Sequence, residues 1–298
     1  MTRLSLSTQG VLLVVAAMAC FSILDTLAKY ISAFVPLAVA MWTRYMFQAS
    51  LTAAVLLPRR GRALFRTRHP WLQVLRGVLL ALSSSLAFLS LRNLPVGEFT
   101  AILMLTPMLI TLISVRSMGE KVSWLRWALL AGGFAGALLV IQPGADDFNW
   151  AMLLPLSLVV VSAGFQLLTS YLAQHDDPGT MHFFTGAVAT AMASVALPFF
   201  WQMPSPGIVW LLLALLGVFS TLGHFLMILG YGRASPATLT PYLYFQIAFA
   251  TLAGWLAFSH TPDRWTLLGI AMIALCGVTS SWLSGPRPSG PVESEPTL

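Results

Sequence analysis

Arg92-Asn93-Leu94-Pro95 returns 141 residues later as Arg233-Ala234-Ser235-Pro236, with the arginine and the proline kept. Sliding the whole chain by that register brings Tyr30 onto Tyr171, Trp124 onto Trp265 and Gly136 onto Gly277. Leucine coincidences such as Leu12/Leu153, Leu13/Leu154 and Leu27/Leu168 come cheaply between apolar segments. Arg, Pro, Trp and Gly matched at one constant offset do not. The chain therefore reads as two related halves, 1–145 and 146–284. A Pro/Ser/Glu-rich tail at 285–298 is expected to be disordered.

The residues around the repeat are apolar enough to need lipid. Hydrophobic residues make up 57% of the 298 and charged residues 9%, with a mean hydropathy of +0.81. A soluble domain carries roughly 25% charged residues. A bilayer core takes about 20 apolar residues per helix. Windows of that size give ten spans, near 8–31, 36–57, 71–91, 95–115, 122–141, 150–173, 179–201, 206–230, 236–258 and 264–284. The expected fold is all-α and polytopic, ten transmembrane helices in two five-helix repeats around a central cavity. Arg3 and Ala17-Met18-Ala19 before Cys20 superficially resemble a signal peptide. The apolar run continues past Cys20 and has a counterpart in the second half, so it is read as a retained helix.

Five helices per half is an odd number, so the second copy must insert upside down. Inverted repeats suit alternating access, since exchanging the conformations of the halves turns the cavity from one side to the other. Arg59, Arg60, Arg62, Arg66 and Arg68 crowd the loop after the second span, and Arg116, Lys121 and Arg126 flank the loop after the fourth. Alternate loops hold far fewer basic residues. The positive-inside rule puts the heavy side, and both termini, in the cytoplasm of a bacterial inner membrane. The formal charge of +6 is thus an orientation signal and not a nucleic-acid footprint.

At these residues the chain resembles the drug/metabolite transporter superfamily, in its EamA-type branch. Arg92-Asn93-Leu94-Pro95, Gly119-Glu120-Lys121 and Arg233-Ala234-Ser235-Pro236 carry the likeness, which runs over about 8–284. Within that branch it is similar to the YddG-type exporters of aromatic and other neutral amino acids. The resemblance implies a cavity lined by helices 1, 3 and 4 and their counterparts 6, 8 and 9, with helices 5 and 10 peripheral.

Ionisable residues inside membrane helices are costly and mark function by default. Asp25, Lys29, Arg44 and Glu98 gather by depth in the outer part of the first half, and their register mates Gln166, Ser170, Thr185 and Leu239 are uncharged. Two readings stay open: an outer gate or zwitterion-receiving ion-pair network, or a structural salt bridge with snorkelling side chains. Nearer the midplane lie Ser83 and its register mate His224, the latter a candidate for proton coupling. Tyr244, Gln246, Trp42, Phe88 and Gln166 are candidates for an aromatic cavity wall with few polar handles, against the alternative of ordinary lipid-facing aromatics. Pro107 and Pro241 each remove a backbone hydrogen bond and are candidate hinges. Gly132 and Gly136 form a small-xxx-small face, read as packing, within a monomer or between the protomers of a homodimer.

These readings favour a secondary transporter that moves small amphipathic metabolites. Export of neutral or aromatic amino acids leads, with uptake of a metabolite such as S-adenosylmethionine or multidrug export as alternatives. Expected partners are the solute, the bilayer and protons. No cofactor or metal is expected: two isolated cysteines, no H-E-x-x-H, no G-x-S-x-G and no Walker motif argue against an intramembrane enzyme or an ATP-driven pump.

Overall fold

The computed structural model describes residues 5–117, 124–141, 150–205, 207–234, 239, 242–259 and 261–283. Pro241, Gly119-Glu120-Lys121, the junction near 145 and the 285–298 tail lie outside the described residues. Eleven helices are given in full: α1 (Leu6–Ile31), α2 (Leu37–Arg60), α3 (Pro70–Asn93), α4 (Val96–Leu103), α5 (Leu105–Ser117), α6 (Trp124–Ile141), α7 (Leu153–Leu172), α8 (Pro178–Phe200), α9 (Ile208–Tyr231), α10 (Phe245–Phe258) and α11 (Arg264–Leu283). They trace ten membrane passes, because α4 with α5 makes one pass and Leu239, Tyr242 and Leu243 are helical ahead of α10. Five of the helices are long and apolar enough to span a bilayer by themselves, the longest being Leu6–Ile31 with hydropathy 2.3.

Local chemistry sets the ends. Ser5 Oγ accepts from Thr8 N at 3.1 Å at the start of α1. Asp177 caps α8 by accepting from Gly179 N and Thr180 N at 2.9 and 3.1 Å, with Pro178 in the first turn. Gly61, at φ 53°, ends α2 in a backbone conformation that a side chain would disfavour.

The inversion is visible in which loops meet. Residues 32–36 join α1 to α2, and their register mates 173–177 join α7 to α8. The first loop lies at the far end of α2 from the arginine-rich loop 61–69. The second docks onto that arginine-rich loop: Asp176 Oδ1 accepts from Arg68 N at 3.1 Å, and Asp177 pairs with Arg60. Equivalent loops thus occupy opposite ends of the bundle.

Packing repeats the same symmetry. α1 packs on α9 as α7 does on α3; α3 packs on α8 as α9 does on α2; and α1 packs on α10 as α7 does on α4 and α5. The pairs α2–α8 and α6–α11 map onto themselves when the halves are exchanged. The helices of the two halves interleave, so the sequence repeat does not divide the molecule into two separate bodies. Gly136 and Gly269 let α6 and α11 touch backbone to backbone, where a Cβ on Gly136 would come within 2.9 Å of Gly269 O. The small-residue face is therefore filled from within the chain and not by a second protomer. Around the bundle, large apolar side chains face outward, and Trp71, Trp124 and Trp150, 82%, 80% and 74% exposed at helix ends, suit the membrane interface.

One pass breaks where its sequence requires. Pro107 has no N–H to give Leu103 O, and its ring crowds that carbonyl. α4 stops at Leu103 and α5 restarts at Leu105. The matching pass in the second half breaks at Tyr244, one turn after Pro241.

Candidate functional site

Where α1, α3, α4–α5, α7, α9 and α10 converge they enclose a cavity of about 130 Å³, with Arg44 reaching in from α2. No described side chain of α6 or α11 lines it. Its sides are apolar and aromatic, including Phe21, Phe99, Phe165 and Tyr231, and its polar groups arrive from seven different passes.

Most of the charged and amide groups are held by a neighbouring pass. Asp25, on α1, takes a hydrogen bond from Gln246 Nε2 at 3.2 Å, and Ser22 Oγ bonds the Gln246 carbonyl at 3.2 Å. Gln166, the register mate of Asp25, accepts from Tyr231 Oη at 3.0 Å. Arg44 donates from Nε to Ser220 Oγ at 2.6 Å and places Nη2 3.1 Å from His224 Nε2, both on α9. The His224 ring lies 4.9 Å from Phe21 and 5.8 Å from Phe165, centroid to centroid. Ser83 Oγ and Thr106 Oγ1 also line the cavity and have no hydrogen-bond partner among the described residues.

Of the sequence candidates, the structure brings Asp25, Arg44, Ser83, Pro107, Gln166, His224 and Gln246 to one cavity. Five others, Glu98 among them, go elsewhere. Phe88 is 2% exposed in the apolar core, and Trp42 donates Nε1 to Ser194 Oγ at 2.9 Å between α2 and α8. Tyr244 packs against Gly277 of α11, so close that a Cβ there would overlap its ring. Lys29 donates Nζ to Leu91 O and Leu94 O at 3.1 and 2.7 Å, closing the C-terminus of α3. Among the described residues the four charges therefore fall into two separate places, Asp25 with Arg44 at the cavity and Lys29 with Glu98 away from it. Among the described residues no salt bridge joins Asp25 to Arg44, although both line the cavity, and Lys29 and Glu98 interact with each other near the α3–α4 turn.

The expected contrast between a charged outer end and an uncharged inner end of the bundle also needs correcting. Arg76, on α3, is 1% exposed. It donates to Thr169 Oγ1 at 2.9 Å, to Met181 O at 3.0 Å and to Thr185 Oγ1. Thr185 is the register mate of Arg44. Arg44 bridges α2 to α9 seven residues into α2, and Arg76 bridges α3 to α8 six residues into α3. Those positions are roughly 10 Å from opposite ends of the bundle. Each end of the molecule thus has one buried arginine at related helix crossings. His182 joins them, with Nε2 3.0 Å from Thr221 O and Nδ1 2.9 Å from Thr52 Oγ1. Arg76 lies inside the apolar span 71–91, and the rule that singles out Arg44 would have found it.

A model of the EamA-like transporter family matches residues 8–142 and again 149–281. The chain belongs to the EamA-like transporter family. Relatives include a riboflavin transporter of Vibrio cholerae, 32% identical, with 90% of this chain and 91% of that protein covered. An S-adenosylmethionine uptake transporter of Rickettsia bellii is 25% identical over 84% and 85%. The pseudopaline exporter CntI of Pseudomonas aeruginosa is 29% identical over 93% and 98%. This family member is a multi-pass membrane transporter of small molecules, not an enzyme. The three relatives differ in what they move.

Proposed function

We propose that this carrier moves a small, flat, hydrogen-bonding metabolite of the riboflavin class. The observation that carries the reading is the cavity itself. Phe21, Phe165 and Tyr231 line it together with Ser83 and Thr106, whose buried hydroxyls no described residue satisfies and a side-chain rotation would turn toward a solute. A planar heteroaromatic solute offers a face to the rings and edge donors and acceptors to the hydroxyls. The likeness to a riboflavin transporter supports the same choice. A sulfonium such as S-adenosylmethionine, or a lipophilic cationic drug, would instead meet the field of Arg44 and Arg76.

One observation favours a second reading, the export of neutral or aromatic amino acids. Asp25 and Arg44 give the cavity one group of each sign, as a zwitterion requires. Both groups are already engaged by Gln246, Ser220 and His224, which makes them weaker anchors than the unpaired hydroxyls. We place the arginine-rich end in the cytoplasm of an inner membrane, supported by the five arginines at 59–68.

Purified full-length protein in liposomes decides between the two. Riboflavin, followed by its fluorescence, is expected to equilibrate faster than in protein-free vesicles and to be competed by excess unlabelled riboflavin. Movement of labelled tryptophan or phenylalanine in its place would favour the second reading. Movement of none of the three sinks both.

A further inference from the structure

We propose that His224 is the carrier's proton-binding site, and that a proton binds there only as Arg44 lets go. The argument starts from what each group can do. A guanidinium has five N–H donors and no acceptor. Arg44 Nη2 stands 3.1 Å from His224 Nε2, so that nitrogen must offer its lone pair. The ring is then the neutral tautomer with its hydrogen on Nδ1. A proton reaching Nε2 removes the acceptor and sets two positive charges side by side. Imidazolium at position 224 and the Arg44–His224 bond exclude each other.

The released guanidinium has a place to go. Ser220 Oγ holds its Nε at 2.6 Å, while Asp25 faces the same cavity from α1 and is held by the neutral amide of Gln246 at 3.2 Å. Proton binding thus exchanges a bond across α2–α9 for an ion pair across α1–α2, within the cavity the solute must cross. The proton balance is simple. One proton comes from water on one side onto the Nε2 lone pair and leaves the same nitrogen to the other side when Arg44 returns. No electron moves and no other reactant is needed.

Other titratable groups face His224 from the elements packed on α9. α1 supplies Asp25 across the cavity, α2 supplies Arg44, and α8 supplies His182; Cys20 of α1 lies against the adjoining Gly223, and Tyr45 of α2 lies against Arg44. Arg76 of α3 acts from farther off, α7 contributes Phe165 and Gln166, which do not titrate, and Tyr231 lies on α9 itself. His182 is set apart from His224 by access. Both of its ring nitrogens already have protein partners, it is 1% exposed, and it does not line the cavity. The inference rests on this cavity being the transport route, and not on which solute takes it.

Full-length protein with ¹⁵N-labelled histidine, in lipid nanodiscs, tests the site without any solute. The His224 signal is identified by its loss in His224→Gln. At neutral pH it is expected to report hydrogen on Nδ1 and a bare, hydrogen-bonded Nε2; hydrogen found on Nε2 overturns the proposal. In liposomes, riboflavin flux is then driven with and without a pH gradient spanning about two units around pH 6.5. Wild-type flux is expected to respond to the gradient by several fold, and His224→Gln, whatever its absolute rate, to lose that response. A response preserved in His224→Gln, or absent from wild type that does move riboflavin, overturns the proposal. Wild-type vesicles that move no riboflavin remove the flavin reading alone, and the nitrogen spectrum then decides the proton site.

Discussion

Ser83 and Thr106 present the sharpest question at the scale of single residues. A buried hydroxyl that makes no hydrogen bond normally costs stability, and such groups are expected to be satisfied when a ligand is present. Both residues line the cavity, on the membrane-spanning helices α3 and α5, with their hydroxyl oxygens buried just behind its surface. Ser83→Ala and Thr106→Ala are each expected to raise the KM for the carried solute about tenfold, equivalent to about 1.4 kcal/mol, the size of one lost hydrogen bond. Melting without solute should stay within about 0.5 kcal/mol of wild type, because no protein partner is lost. Transport kinetics and thermal melts read the two quantities separately. Lower stability with unchanged KM would assign these hydroxyls to packing. Sequence made part of this legible, since the 141-residue register alone pairs Ser83 with His224 and Asp25 with Gln166, and all four meet in the cavity. Trp42, Phe88 and Tyr244 were not legible. A helix bathed in lipid is apolar on every face, so periodicity does not tell cavity from core or from bilayer.

At the scale of the element, the break between α4 and α5 is the feature most open to change. Pro107→Ala restores an N–H that can reach Leu103 O and removes the ring that crowds it. The expected outcome is one continuous helix from Val96 through Ser117, a melting point equal to or above wild type, and flux reduced about tenfold. Hydrogen exchange at residues 103–108 and liposome flux measure the two effects. Unchanged flux together with slowed exchange would show the break to be a packing solution with no part in the cycle. The proline itself announces the break. The second half breaks at Tyr244, with Pro241 one turn before it and no proline one turn after, so the rule that locates the first break does not locate the second.

For the whole molecule, the tie between the halves at the arginine-rich end centres on Asp176. Burial raises its carboxyl pKa, but Thr67 Oγ1, Gln73 Nε2, Arg68 N and nearby His69 outweigh burial and hold it below the usual carboxylate value. A carboxyl depressed in the folded chain contributes its full stability above the unfolded value of about 3.9 and loses it as pH falls through the folded value. Asp176→Asn is therefore expected to lower stability by about 1–2 kcal/mol at pH 7, with the gap to wild type closing below about pH 3. Thermal melts of the purified protein at the two pH values check this. An equal gap at both would mean that the charge does not matter there. No local motif reports this contact. It joins loops more than 100 residues apart that meet only because the second half is inverted.

Sequence by itself determined the number of passes, the two halves and their inversion. Lipid imposes a length and an apolarity on every span, and five spans per repeat force the second copy to insert the other way up. Only the tertiary structure decided which polar groups meet. It sent Lys29 to the end of α3 and seated Arg44 on His224. It also gave the other end its own arginine at position 76, from a helix that is not the repeat mate of α2. The physical reason is that lipid selects for a helix's length and apolarity, while the partners of a buried charge are chosen by the neighbouring helices. For Asp25, Arg44 and Arg76 those neighbours come from the other half of the chain.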